Sequence, residues 1–137
     1  MRIFIDANVI ISVFNKEYPL FIFSARILSL GGSDRFELFT SPLCLAIAYY
    51  FSSKKSGAKM AKNKIQSLLE NISITSIDDS VARQTADDPR INDFEDGLEY
   101  YSAIKESCTI IITEDKDDFY FSELEVLNCS EFLTMHC

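Results

Sequence analysis

Apolar residues fall into short unbroken runs and longer periodic ones, and the alternation of the two sets the expected elements. Ile3-Phe4-Ile5 is an unbroken apolar run that stops abruptly at Asp6. That is the pattern of a strand buried on both faces, as at the centre of a parallel sheet. Thr109-Ile110-Ile111-Ile112-Thr113 is the clearest strand of the sequence, β-branched throughout, and it too ends in acids, Glu114-Asp115. Weaker strand patterns lie at Phe36–Thr40, Asn71–Ile77 and Val126-Leu127, the last an edge strand. Between these runs the spacing becomes helical. Val9–Phe14 predicts a short helical segment, and Pro19 opens a helix that stops at Gly31-Gly32. Ser41-Pro42, a hydroxyl cap followed by proline at the first helical position, opens another that runs to about Ser53. Its Leu43, Leu45, Ala46, Ile47, Tyr49, Tyr50 and Phe51 are apolar nearly all round, which predicts an interior helix with the tyrosines in the core.

Gly57–Glu70 carries lysines on one face and Met60, Ala61, Ile65, Leu68 and Leu69 on the other. Asp78 caps a helix through about Ala86, and Asn92-Asp93 opens one carrying Leu98, Tyr101, Ala103 and Ile104. Ser130 is expected to cap a short terminal helix. Strands alternating with helices specify an α/β fold with a mostly parallel sheet. With no repeat, linker or low-complexity segment, residues 1–137 read as a single domain.

Composition narrows the class. A hydrophobic content of 47% with 25% charged residues is that of an ordinary globular chain. The longest uncharged run, Leu38–Ser53, contains Pro42 and several hydroxyls and suits a buried helix better than a membrane span. Arg2 is the only early cation and Asp6 interrupts the first apolar run, so no secretory leader is expected. The four cysteines form no C-x-x-C pair, which points to reduced thiols in a cytoplasmic protein. Cys44 and Cys108 lie in apolar segments and read as inert core residues.

Charge changes the picture more. The net charge of −8 argues against a surface that coats nucleic acid. Its distribution is uneven. Eleven acidic and three basic residues lie between Asp87 and Asp118, whereas Lys54, Lys55, Lys59, Lys62 and Lys64 gather five of the thirteen cations. One part of the molecule is built for cations, and the lysines form a face that is either solvated or able to guide phosphates.

Three acids fall at the ends of elements: Asp6 after the first strand, Asp96 in the first turn of a helix, Asp115 after the last buried strand. An α/β fold brings such ends together at the carboxyl edge of its sheet. Gathered carboxylates repel unless a cation sits between them. Mg²⁺ or Mn²⁺ resolves the conflict through oxygen ligands, and activates water against a phosphodiester. Structural readings stand beside this one. Asp6 also suits an Asx turn, Asp93 suits an N-cap with Asp96 in the capping-box position, and Asp115, Asp117 and Asp118 suit a solvated turn.

The chain resembles the PIN-domain ribonucleases, of the kind found as VapC-type toxins in bacterial toxin–antitoxin pairs. The resemblance runs through Phe4-Ile5-Asp6-Ala7-Asn8-Val9-Ile10, Thr40-Ser41-Pro42-Leu43, Asp93-Phe94-Glu95-Asp96-Gly97-Leu98-Glu99-Tyr100-Tyr101, Ile111-Ile112-Thr113-Glu114-Asp115 and Asp118-Phe119. It implies a three-layer α/β/α sandwich around a parallel sheet and hydrolysis of RNA with Mg²⁺ or Mn²⁺. Asp6, Asp96 and Asp115 match the family's metal-site acids, Asn8 and Thr113 its supporting polar residues, and Asp118 a second-rank acid. Asp93 is a further acid near the site, and Lys54, Lys55, Lys59 and Lys62 are candidates for guiding RNA. The resemblance implies RNA as substrate and allows a small antitoxin protein as partner; exposed aromatics at Phe21, Phe23, Tyr49 or Tyr50 would point to an antitoxin or homodimer interface, and no membrane is expected. Two departures stand out: Ile47 occupies a position where many members place a glutamate, and Ala7 one where threonine is frequent. Ile47 keeps open a competing expectation, a PIN-like module that binds RNA or a protein without turnover.

Overall fold

Five strands, β1 (Arg2–Ile5), β2 (Glu37–Thr40), β3 (Ser73–Ile74), β4 (Ile110–Ile112) and β5 (Glu125–Leu127), form one sheet in the computed structural model, which describes residues 1–137. Every pairing is parallel and the spatial order is β3-β2-β1-β4-β5. The chain therefore builds outward from β1 to β2 and β3, then crosses back to lay β4 on the other side of β1. The direction of winding reverses between β1 and β4. In open parallel sheets the crevice at such a reversal, outside the carboxyl ends of the strands, is where ligands bind.

Seven helices cover the sheet: α1 (Ala7–Phe14), α2 (Leu20–Ser29), α3 (Pro42–Ser56), α4 (Ala58–Leu68), α5 (Asp79–Asp87), α6 (Phe94–Lys105) and α7 (Cys129–His136). Successive strand side chains point to opposite faces. Ile3, Ile5, Leu38, Ile110 and Ile112 accordingly pack with Val9 and Ile10 of α1, Ile27 of α2 and Phe132 of α7. Phe4, Phe39 and Ile111 pack on the other side with Tyr100 and Ala103 of α6 and with Phe119 and Phe121. The sheet is the middle of three layers, the architecture that the family resemblance implied. No helix is long and apolar enough to cross a membrane.

Three local expectations are corrected. α3 is not interior: only Cys44, Ala48 and Ser52 are buried, while Tyr50 and Phe51 are about half exposed and Tyr49 also reaches solvent. Those three small residues recur every fourth position and form the one fully buried stripe of the helix, flanked by the half-buried Leu43, Leu45 and Ile47. The strand expected over Asn71–Ile77 shrinks to Ser73–Ile74, because it lies at the sheet edge and β2, its one neighbour, ends at Thr40. Asn128, not Ser130, caps α7. Its side chain accepts from the Glu131 amide (2.8 Å) while Glu131 accepts from the Asn128 amide (2.9 Å), a reciprocal capping box that Ser130 is not placed to make.

Candidate functional site

Asp6 continues β1 by one residue and so points, like Phe4, to the face that α6 covers. Its amide donates to the Ile112 carbonyl (3.0 Å), which fixes the residue against the end of β4. One carboxylate oxygen, Oδ1, accepts from the Ala7 amide at 2.7 Å, so Asp6 also caps α1. The other, Oδ2, accepts from the Thr113 hydroxyl at 2.7 Å. Thr113 Oγ1 in turn accepts from Asn8 Nδ2 (3.1 Å) and from the Asp115 amide (3.1 Å), which uses its full capacity of one donor and two lone pairs. Asn8 Nδ2 lies 3.2 Å from Asp115 Oδ2 and 3.4 Å from Asp6 Oδ2, and Asn8 Oδ1 accepts from the Glu114 amide at 3.2 Å. The loop after β4 is pinned from behind by α7. Glu114 accepts from the Cys129 amide (2.9 Å), and Lys116 pairs with Glu131 (2.9 Å).

The facing wall is α6. Asp93 is its N-cap, accepting from the Glu95 amide at 3.0 Å. Asp96 and Glu99, three residues apart, lie on one side of the helix. Glu99 is only 3% exposed, and its Oε1 accepts from the Cys44 thiol at 3.0 Å. Cys44, completely buried in the first turn of α3, also lies 3.9 Å from Asp6 Oδ1. One donor atom each from Asp6, Cys44 and Glu99 fall within 4.8 Å of one another. Asp118 is exposed at the rim, its amide donating to the Asp115 carbonyl at 3.0 Å.

The electrostatics follow from crowding without compensation. Burial pushes the Glu99 carboxyl up to about 9, and the neighbouring Asp6 charge adds to it. Burial, reinforced by Asp93, Asp118 and Asp6, pushes Asp96 up to about 7. Burial also raises Asp6, against the Thr113 and Ala7 hydrogen bonds that lower it, and Asp118 is raised by burial and by the charges of Asp115, Asp93 and Asp117. The Cys44 thiol is pushed well up by burial and by Glu99, so it is an S–H donor rather than a thiolate. None of the five ion pairs of the molecule includes Asp6, Asp96, Glu99 or Asp115.

The predicted residues divide into those in direct contact and those that act through space. Asp6, Asn8, Thr113 and Asp115 are joined by hydrogen bonds. Asp96 makes no hydrogen bond to them but shares their field, as do Asp93 and Asp118. The lysines lie elsewhere. Lys54 is ten residues along α3 from Cys44, about 15 Å at 1.5 Å per residue. Its ammonium sits over the Tyr50 ring, Lys55 donates to the Asn15 carbonyl (2.6 Å), and Lys59 and Lys62 are exposed on α4. Sequence reasoning missed Glu99 and Cys44. The signal for Glu99 was its helical spacing from Asp96. Cys44 offered none, since a cysteine in an apolar segment reads as core whether or not an acid lies against it.

The donor set fits a hard divalent cation. Its carboxylates are oxygen donors, and Glu99 Oε2 is buried without a protein donor, its carboxyl lying against that of Asp6.

Comparison with known proteins agrees with this fold. Residues 2–117 match the family model described as PIN domain. Ribonuclease VapC1 of Aquifex aeolicus is 31% identical over 134 residues, covering 96% of this chain and 92% of that protein. Among solved structures, VapC20 of Mycobacterium tuberculosis, described as a Sarcin-Ricin loop cleaving toxin, has a similar fold with a TM-score of 0.70 at 17% identity, over 90% of this chain and 98% of that one. A chain of VapBC2 from Rickettsia felis, bound to a DNA fragment from its promoter, gives 0.69 at 17% identity over 93% and 98%.

Proposed function

The chain belongs to the PIN-domain family, and on that premise we propose that it is an endoribonuclease dependent on Mg²⁺ or Mn²⁺, working as one domain over residues 1–137 in the cytoplasm as the toxin of a toxin–antitoxin pair. One observation carries the reading. Acids following β1, on α6 and in the loop after β4 lie within one another's field at the winding reversal of the sheet, with no cation of the protein paired to them.

Asp6, Asp96 and Asp115 would hold the ion. When bound, it supplies positive charge to a phosphodiester undergoing displacement and a water acidified for attack. The chain's own residues do the rest. Asp6 is held from two sides by the Ala7 amide and the Thr113 hydroxyl, so its rotamer is fixed before any ligand arrives. Asn8 keeps the carboxylates of Asp6 and Asp115 on either side of one amide and stops them from rotating apart. Asp118 lies at the mouth of the cleft, within the field of Asp115. RNA approaching this edge meets a repulsive field, and the exposed Lys59 and Lys62 on α4, with Lys54 and Lys55, offer the phosphate contacts that offset it.

A protein partner or a second copy has apolar surface to use: Ile22 and Phe23 on α2, and Tyr50 and Phe51 on α3, are exposed. The likeness to a chain of VapBC2 and to a ribonuclease VapC1 supports an antitoxin as that partner. RNA incubated with the protein and Mg²⁺ or Mn²⁺ should be cleaved, and Asp6→Asn, Asp96→Asn or Asp115→Asn should each lower the rate by about a hundred-fold or more. Full activity in Asp6→Asn overturns the assignment. Growth arrest on expression, relieved by Asp96→Asn, is the corresponding result in cells.

A second reading rests on Ile47, which packs against the core cluster around Phe4 and offers no ligand atom. A PIN-like module that binds RNA or a partner without turnover would bind no divalent ion at millimolar concentration.

A further inference from the structure

We propose that Glu99 is an inner ligand of the metal site, supplying from α6 the carboxylate that position 47 on α3 lacks, and that the Cys44 thiol positions it. This rests on the reading of the site as a divalent-metal centre. Three observations lead to it. Asp6, Cys44 and Glu99 bring three metal-ligating donor atoms within 4.8 Å of one another. Glu99 is 3% exposed, and its two oxygens are unequal: Oε1 accepts from Cys44 Sγ at 3.0 Å, whereas Oε2 is buried and accepts from no protein donor, the carboxyl lying against that of Asp6. Finally, Ile47 is taken up in apolar packing against the core, so α3 brings no acid of its own to the cluster.

A buried carboxylate oxygen without a hydrogen bond is costly, and natural structures hold few of them. No Lys or Arg pairs with Glu99. Two donors of the cleft are engaged elsewhere, the Thr113 hydroxyl on Asp6 Oδ2 and the Ala7 amide on Asp6 Oδ1. A cation beside Asp6 would give Oε2 a positive partner and offset the crowding of the two carboxyl groups. The role of Cys44 follows from its weakness as a donor, because a thiol can satisfy Oε1 without neutralising the carboxylate and so leaves Oε2 free. The helix register permits it, because Asp96 and Glu99 share a side of α6 and approach Asp6 together.

The test is Mn²⁺ binding by titration calorimetry and by the electron paramagnetic resonance of free Mn²⁺, on the full chain without RNA. Asp6→Asn calibrates the site. Glu99→Gln keeps the size and the acceptor for Cys44, and it should weaken Mn²⁺ binding by at least about ten-fold, the loss typical even of groups that only orient a ligand. Adding Ile47→Glu to Glu99→Gln should restore part of the affinity by returning a carboxylate from α3. Glu99→Leu, which removes the buried polar group altogether, gives the same reading should the amide variant not fold. Equal affinity in wild type and Glu99→Gln, with Asp6→Asn weakened, overturns this inference and leaves the metal centre standing. No Mn²⁺ binding by the wild type overturns both.

Discussion

Thr113 is the residue on which the geometry of the cleft turns, because one hydroxyl connects both strand ends. It donates to Asp6 and accepts from Asn8 and from the Asp115 amide. Thr113→Val keeps the shape and removes all three bonds. It leaves Asp6 less restrained and a buried acceptor network unmatched, which should cost about 1–3 kcal/mol of stability. The metal-dependent rate should fall about 10- to 100-fold, as for outer residues that orient ligands. Urea unfolding and cleavage rates check the two; an unchanged rate would mean that Thr113 is structural only. At this scale the sequence was legible where an acid ends an apolar run. Asp6 and Asp115 stand out because strand and carboxylate meet abruptly, and Asn8 and Thr113 each lie two residues from one of them. Glu99 was legible only as a neighbour of Asp96 on one side of a helix, since that spacing does not tell a buried acid from one facing solvent.

Among the elements, α6 carries the site and α3 its backing, and each is seated by small residues. Gly97 follows Asp96 directly. A Cβ there would run into Thr85 of α5 and lie 2.9 Å from two methyl carbons of Ile91. Gly97→Ala should therefore lift the first turn of α6 and move Asp96 with it. The expected outcome is a loss of about 1–3 kcal/mol from overpacking, and weaker Mn²⁺ binding, both readable in one series of thermal melts with and without the ion. On α3, Ala48 lies at the centre of the Cys44–Ala48–Ser52 stripe and is fully buried. Ala48→Leu should destabilise by a similar amount, about 1–3 kcal/mol, whereas Tyr50→Ser, on the exposed side, should leave stability within about 0.5 kcal/mol. The apolar count of α3 was misleading for this reason. Hydrophobicity all round a helix predicts burial only where the neighbours are large enough to surround it, and here α1 and α4 meet it along small side chains. The order of strands and helices was legible, since period and punctuation are local. The reversal between β1 and β4 that makes the crevice was not, because strand order is a property of pairing at long range.

Taken as a whole, the molecule stores its acidity on one edge, and that should make its stability fall as pH rises, the reverse of what most carboxylates do. Glu99, raised from its usual 4.5 to about 9, and Asp96, raised from 3.8 to about 7, both bind their protons more tightly in the folded chain than in the unfolded one. A raised carboxyl contributes stability that is complete below its ordinary pKa and is lost as pH climbs through the folded value. Carboxylates held low by partners, such as Asp88 beside Arg90 and Asp78 beside Lys105, give the opposite slope, but theirs is spent below the ordinary carboxylate range. In EDTA the melting temperature should therefore decline between about pH 5 and pH 9, with the Asp96 share gone by about pH 7 and the Glu99 share persisting above it. Glu99→Gln should flatten the decline above about pH 7, where only Glu99 contributes, and make it shallower below, where the Asp96 share remains. Mg²⁺ or Mn²⁺ should oppose it, because a cation competes with protons for the same oxygens and so binds more tightly as pH rises. The gap between the melting curves with and without the ion should widen from pH 6 to pH 9, roughly tracking deprotonation of the cluster. A melting temperature in EDTA that is flat or rises across the whole range, or a metal effect that shrinks toward high pH, would show that these acids do not share one field.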